Sequence, residues 1–210
     1  MAARLSSGDV TMIERPQNVR IIVSIPGRYS LANRRDSGGE RREFACRVVG
    51  MSPQEMVFAA PVIGAIGERV IAHIERFGKI DGRISRVMER GFVINIAATD
   101  EEREKFAAKI QWLEHHKNHD LPEGRKHGRT VPRDPLSRIV LADGSRLSCL
   151  VMDMSVSGAA VSADLVPEIG LPLAVGSVTA VVVRHFAEGF AVRFIETQNP
   201  KQLESLLIKP

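Results

Sequence analysis

Arg125-Lys126-His127-Gly128-Arg129 and Asp153-Met154-Ser155-Val156-Ser157-Gly158 bracket the most informative part of the chain. Between them, apolar alternation at Ile139-Val140-Leu141 and from Leu147 to Met152 is interrupted by Asp143-Gly144. Asp-Gly between two such runs signals a β-hairpin. The stretch therefore reads as a basic arm, a hairpin, and a turn carrying a carboxylate and hydroxyls. Two arginines four apart in a glycine-containing arm can converge on one anion, each with a planar fork of donors. Their guanidinium planes can also stack on a purine face. Asp153 can accept hydrogen bonds from a guanine edge, and Ser155 adds a donor or acceptor. Gly158 permits close backbone approach or a positive φ. The same residues also suit plainer roles, as solvated linker charges and as an Asx or Ser turn.

Outward from this stretch, the chain is punctuated by glycine and proline. Residues 1 to 18 are polar and aperiodic and read as a loose tail. Arg20 to Ile25 alternates and meets Pro26-Gly27, predicting a short strand and a turn, and Asn33 to Arg42 reads as a charged loop. Strands are expected at Phe44–Val49, Met56–Ala60, Glu68–Ile74, Gly82–Met88 and Phe92–Ile96. Thr99-Asp100-Glu101-Glu102 is a capping box. Phe106, Ile110 and Leu113 then share a helical face running to about His116, with Trp112 expected at the helix–barrel seam. After a linker containing Leu121-Pro122, strands recur at 139–141, 147–152, 159–162, 172–174, 177–185 and 190–195. Asn199-Pro200 is expected to cap a final helix bearing Leu203, Leu206 and Leu207.

The two halves repeat. Cys46 precedes Ser52 as Cys149 precedes Ser155 (52 − 46 = 6; 155 − 149 = 6), and Arg86 precedes Gly91 as Arg184 precedes Gly189 (91 − 86 = 5; 189 − 184 = 5). The fold expected is mainly β: two tandem small antiparallel barrels, each followed by a helix. The domain division is a tail at 1–18, a first barrel with helix at 19–117, a linker and arm at 118–135, and a second domain at 124–210.

Composition narrows the function classes. A net charge of +4 over 210 residues suits an anionic ligand but lacks the concentrated basic stripe of a dedicated nucleic-acid binder. Cys46 and Cys149 both lie in apolar alternation and read as buried thiols in a reducing compartment. No apolar run approaches the roughly 20 residues that span a bilayer, so membrane insertion is not expected and a cytoplasmic location is. No nucleophile elbow, acid–base pair or phosphate-cradling loop can be assembled, so no enzyme, catalytic residue or cofactor is expected. His115, His116, His119 and His127 lack cysteine or carboxylate partners at ligand spacing, and no metal site is assigned.

Arg125-x-x-x-Arg129 followed by Asp153-x-Ser155-x-x-Gly158 resembles the two motifs of the PilZ domain, a bacterial receptor for the second messenger cyclic di-GMP. The separation from Arg129 to Asp153 (153 − 129 = 24) lies within the usual spacing of that family. The resemblance implies split-barrel PilZ-like domains. In the second, Arg125, Arg129, Asp153, Ser155 and Gly158 would hold cyclic di-GMP, with Lys126, Arg133 and Ser157 as further contacts. It implies an arm that closes over the ligand, reorients the barrels and alters a surface for a downstream protein partner, regulating motility, adhesion or exopolysaccharide output. A PilZ-like adaptor acting by protein contacts alone, or a basic nucleic-acid binder, are the alternatives. The first half carries Gly50 where the second has Asp153, and Glu55 where the second has Gly158, and no arginine pair four residues apart precedes them. Glu55 would repel phosphate, so the first copy is expected to be structural or partner-binding.

Overall fold

The structure, a computed structural model, describes residues 21–115 and 128–208. Twelve strands form two closed barrels with the same strand order. The first holds β1 (Ile21–Arg35), β2 (Arg41–Met51), β3 (Glu55–Ala59), β4 (Arg69–Ile74), β5 (Gly78–Met88) and β6 (Gly91–Ile96) in the order β1-β2-β3-β6-β5-β4. The helix α1 (Asp100–His115) follows it. The second holds β7 (Leu136–Val140), β8 (Arg146–Ser155), β9 (Gly158–Ala163), β10 (Pro172–Val175), β11 (Val178–Phe186) and β12 (Gly189–Phe194), ordered β7-β8-β9-β12-β11-β10, and ends in the short helix α2 (Leu203–Leu207).

The duplication extends to individual backbone bonds. Ile96 N–H donates to Gln54 O at 2.8 Å, as Phe194 N–H donates to Ser157 O at 2.9 Å. Register shifts fall between Val48 and Gly50 and between Val151 and Asp153, and again between Ile84 and Arg86 and between Val182 and Arg184. Gly91 and Gly189 start β6 and β12, and a Cβ on either would meet a carbonyl oxygen of the neighbouring strand, Phe58 O at 1.8 Å and Val161 O at 2.0 Å. Only glycine allows the backbones to approach that closely at these two corners.

The two interiors differ. Tyr29, Phe44, Phe58 and Phe92 are fully buried in the first barrel, and the Phe58 and Phe92 rings stack with centroids 5.2 Å apart. The second core is built of smaller residues, Val151, Val161, Val175, Ala180 and Cys149 among them, around Phe190 and Phe194. Ile110 of α1 is completely buried, with Phe106 and Leu113 packed beside it, so the helix docks on the first barrel as its apolar spacing predicts. The capping box forms: Thr99 N–H donates to Glu102 Oε2 at 2.8 Å, and Glu102 N–H donates to Thr99 Oγ1 at 3.3 Å. Hydrogen bonds from Thr99 hold the Glu102 carboxyl below its usual range.

Four local expectations are corrected. Pro26-Gly27 is no turn: β1 continues through it, pairing Pro26 with Arg47 and Gly27 with both Cys46 and Ile74. Gly27 is the point where β1 begins to pair on both sides, and a Cβ there would lie 2.9 Å from His73 O. The charged loop at 33–42 shrinks to the tip of a long β1–β2 hairpin, with Arg35 opposite Arg41. Trp112 is 52% exposed, because the seam is already filled by Phe106, Ile110 and Leu113. Asn199 is not the N-cap of the last helix: its Oδ1 accepts from Lys201 N–H at 3.0 Å in a separate turn, and the helix starts after Gln202.

Candidate functional site

The Asp153-to-Gly158 motif is the β8–β9 hairpin itself. Ser155 pairs with Gly158, leaving Val156-Ser157 as a two-residue turn. Ser155 Oγ donates to Gly158 O at 3.3 Å, accepts from Ser157 N–H at 3.4 Å, and lies 3.3 Å from Ser157 Oγ. The tip is tied to the end of β12 by Phe194 N–H to Ser157 O and to the chain beyond it by Gln198 N–H to Val156 O. A Cβ on Gly158 would lie 2.3 Å from Val192 O, so glycine is required for close approach of β9 to β12.

The bulge after Val151 sets the direction of Asp153. In a regular strand Asp153 would follow Val151 into the interior. With one extra residue inserted, Met154 takes the inward position and is buried in the core with Val151, while Asp153 turns out onto the barrel rim. There it meets the arm. Arg129 Nη1 donates to Asp153 Oδ1 at 3.1 Å, with the side chains 47% and 13% exposed. Thr130 is bridged to Met154 by backbone bonds of 2.7 and 2.8 Å, which fixes Arg129 beside the turn. Arg129, Asp153, Ser155, Ser157 and Gly158 thus share one rim. Arg133 is exposed, and its backbone N–H donates to Glu204 Oε1 at 2.7 Å. Arg125 and Lys126 lie outside the described residues.

The corresponding rim of the first barrel is built differently. Gly50 stands after its bulge, so no carboxylate is presented. Ser52 Oγ accepts from Glu55 N–H at 3.0 Å, closing the turn locally. Arg103 of α1 lies across this rim and donates to Ile96 O at 3.1 Å, Ala98 O at 3.2 Å and Pro53 O at 3.5 Å.

Between the barrels lies a seam that sequence reasoning missed. Ala45, Leu136 and Leu150 are buried together there, and Ala45 N–H donates to Ser162 Oγ at 2.9 Å. Arg42 Nη2 donates to Ala163 O and Leu165 O, and its Nη1 pairs with Asp164 at 2.9 Å. Buried Arg47 donates to Pro132 O at 2.8 Å. Arg90 holds Asp134 through both Nη atoms, at 2.9 and 3.0 Å. The arm that carries Arg129 is therefore gripped, three to five residues further on, by the first barrel. Single arginines in a basic chain carry no signal of this role.

Among the described residues no group of three or more His, Cys, Asp or Glu side chains could hold a metal, and no helix is long and apolar enough to cross a membrane. Both thiols are buried. Burial pushes Cys149 up to about 12 and raises Cys46 further.

No protein-family profile matches the chain, and no curated protein matches it. Solved structures similar to it include Borreliella burgdorferi PlzA in complex with c-di-GMP, at 10% identity and TM-score 0.30, covering 91% of this chain and 93% of that one. The Bacillus subtilis inhibitor of motility MotI/DgrA aligns at 16% identity and TM-score 0.29, over 89% and 94% of the two chains. Escherichia coli YcgR in complex with c-di-GMP aligns at 13% and 0.24, over 87% and 80%.

Proposed function

We propose that the chain is a non-enzymatic receptor for cyclic di-GMP, with a PilZ-type site on the second barrel and a first copy that serves structure or partner contacts. The division follows the sequence: first domain at 19–117, arm within 118–135, second domain at 124–210. The observation that carries the reading is the meeting of Arg129 with Asp153 above the Ser155–Gly158 turn. A fork of guanidinium donors and a carboxylate acceptor stand side by side, which suits phosphate on one hand and a guanine edge on the other. Asp153 and Ser155 would receive the base; Arg129, with Arg125, would take phosphate or stack on the purine. Lys126, Arg133 and Ser157 remain candidate further contacts. Because Thr130 is already fixed by backbone bonds, Arg129 is presented without that residue's ordering cost of about 1–2 kcal/mol.

The output would be a shift of the barrels relative to each other, felt by a downstream protein partner. The support is the grip of Arg47 and Arg90 on Pro132 and Asp134, since a pull on Arg129 acts on the same short segment. No net change to the ligand is required, and Gly50 and Arg103 speak against a second nucleotide on the first rim.

Calorimetric titration of the full chain with cyclic di-GMP tests this. Saturable heat with a micromolar or tighter Kd is expected, with duplex DNA giving none at matched salt. Silence with the nucleotide would leave the adaptor, and a steeply salt-dependent DNA response would point to nucleic acid.

A further inference from the structure

The strands of the second barrel carry another group of cations at the end away from the Asp153 rim. Arg146 begins β8, seven residues before Asp153 (153 − 146 = 7), or about 23 Å along an extended strand. Arg146 and Ser148 share an outward face of β8, and Arg138 on β7 is the cross-strand partner of Ser148. The first barrel faces this patch with Arg90, and with Pro61 and Ile63 of the segment after β3. Together these residues line a cleft of about 380 Å³ between the barrels. That volume is within the usual range for small-molecule sites, which favour domain boundaries and combine apolar walls with a few convergent polar groups.

We propose that this cleft is a second binding site, for a small organic anion that carries a phosphate or carboxylate on an apolar body. Arg90, Arg138 and Arg146 line the cleft with Glu89; Arg90 is already matched by Asp134, so three guanidiniums stand against two carboxylates, and planar forks favour oxyanions that accept two parallel hydrogen bonds. Arg90 is already oriented by Asp134 and by Leu136 O at 3.3 Å, so its guanidinium is held in place across the seam. Arg146 is exposed and makes no ion pair with a carboxylate among the described residues, which leaves it able to recruit the anion. Ile63, Pro61 and Leu147 supply the apolar wall. Occupancy would add contacts across the seam, so the site would favour the docked arrangement of the barrels. It is independent of the nucleotide reading, since it uses none of the residues on the Asp153 rim.

The test is amide NMR on the full chain with phenyl phosphate and benzoate as probes, and inorganic phosphate and benzyl alcohol as half-probes. Saturable shifts at Ala60, Ile63, Glu89 and Ser148 are expected with at least one full probe, at least about tenfold tighter than with either half-probe, a difference of about 1.4 kcal/mol. Arg146→Glu should abolish the response with the spectrum otherwise retained, and Arg146→Lys should preserve part of it. A cyclic di-GMP titration should be the same for the Arg146→Glu variant and wild type. Shifts scattered over surface arginines, no saturation, or an undiminished response in Arg146→Glu would overturn the proposal.

Discussion

Replacing Arg129 by alanine separates a ligand-binding arginine from an ornamental surface pair. In the free chain its guanidinium donates to Asp153 at 3.1 Å with nearly half of its side chain exposed. A pair in that setting contributes about 0–1 kcal/mol, so the unfolding free energy of Arg129→Ala from urea titration should fall by less than about 1 kcal/mol. In the complex the same fork would meet a charged phosphate, a contact of about 1.5–3 kcal/mol. Subtracting the pair given up in the free state leaves a binding loss near 2 kcal/mol, roughly thirtyfold in Kd. Arg129→Lys keeps the charge but loses the fork, and should fall between the two. Asp153→Ala removes the base acceptor and the free-state pair together, so a double-mutant cycle by calorimetry should show non-additive losses. Wild-type affinity in Arg129→Ala, with Asp153→Ala impaired, would refute the arm as part of the site. Unaltered affinity in both would refute the site.

Three further outcomes follow from the packing. Gly189→Ala should destabilise the second barrel by about 2–4 kcal/mol in urea unfolding, because its Cβ would meet Val161 O at 2.0 Å; Gly128→Ala, with nothing within 4 Å of the added atom, should stay within about 0.5 kcal/mol. Ser162→Ala leaves the Ala45 amide without its buried acceptor and should cost about 1–3 kcal/mol, read in the unfolding midpoint of the whole chain. Cys149 titrates higher when folded, at about 12, than in the unfolded chain at about 8.5. The folded state therefore holds its proton more tightly: this contribution is complete below the unfolded value and is lost as pH rises towards 12. Cys149→Ala should flatten the alkaline limb of a stability–pH curve, and an unchanged limb would show that other groups dominate it.

The fold was legible where local chemistry and long-range packing agree. Thr99 and Glu102, the Asp143-Gly144 turn, and the matched cysteines and glycines of the two copies all carry their structural role in their spacing. Pro26 and Gly27 misled because a proline can sit in a strand where no ladder bond needs its missing N–H, and only tertiary pairing with Ile74 reveals that. Of the candidate site, the Asp153 turn and its approach by Arg129 were readable as motifs, but the bulge that swaps Asp153 for Met154 was not. It is a matter of register across strands. The Arg42, Arg47 and Arg90 contacts could not be foreseen either, since each joins residues more than 40 positions apart.

Closure of both sheets has one more implication. Where a strand is paired on each flank, as β1 is from Gly27 to Leu31, its peptide groups cannot template an incoming chain; the end of β1 before Gly27 pairs with β2 alone. Recognition at the doubly paired strands must therefore run through side chains, and these can be changed by point substitutions that leave the hydrogen-bonded cage of either barrel untouched.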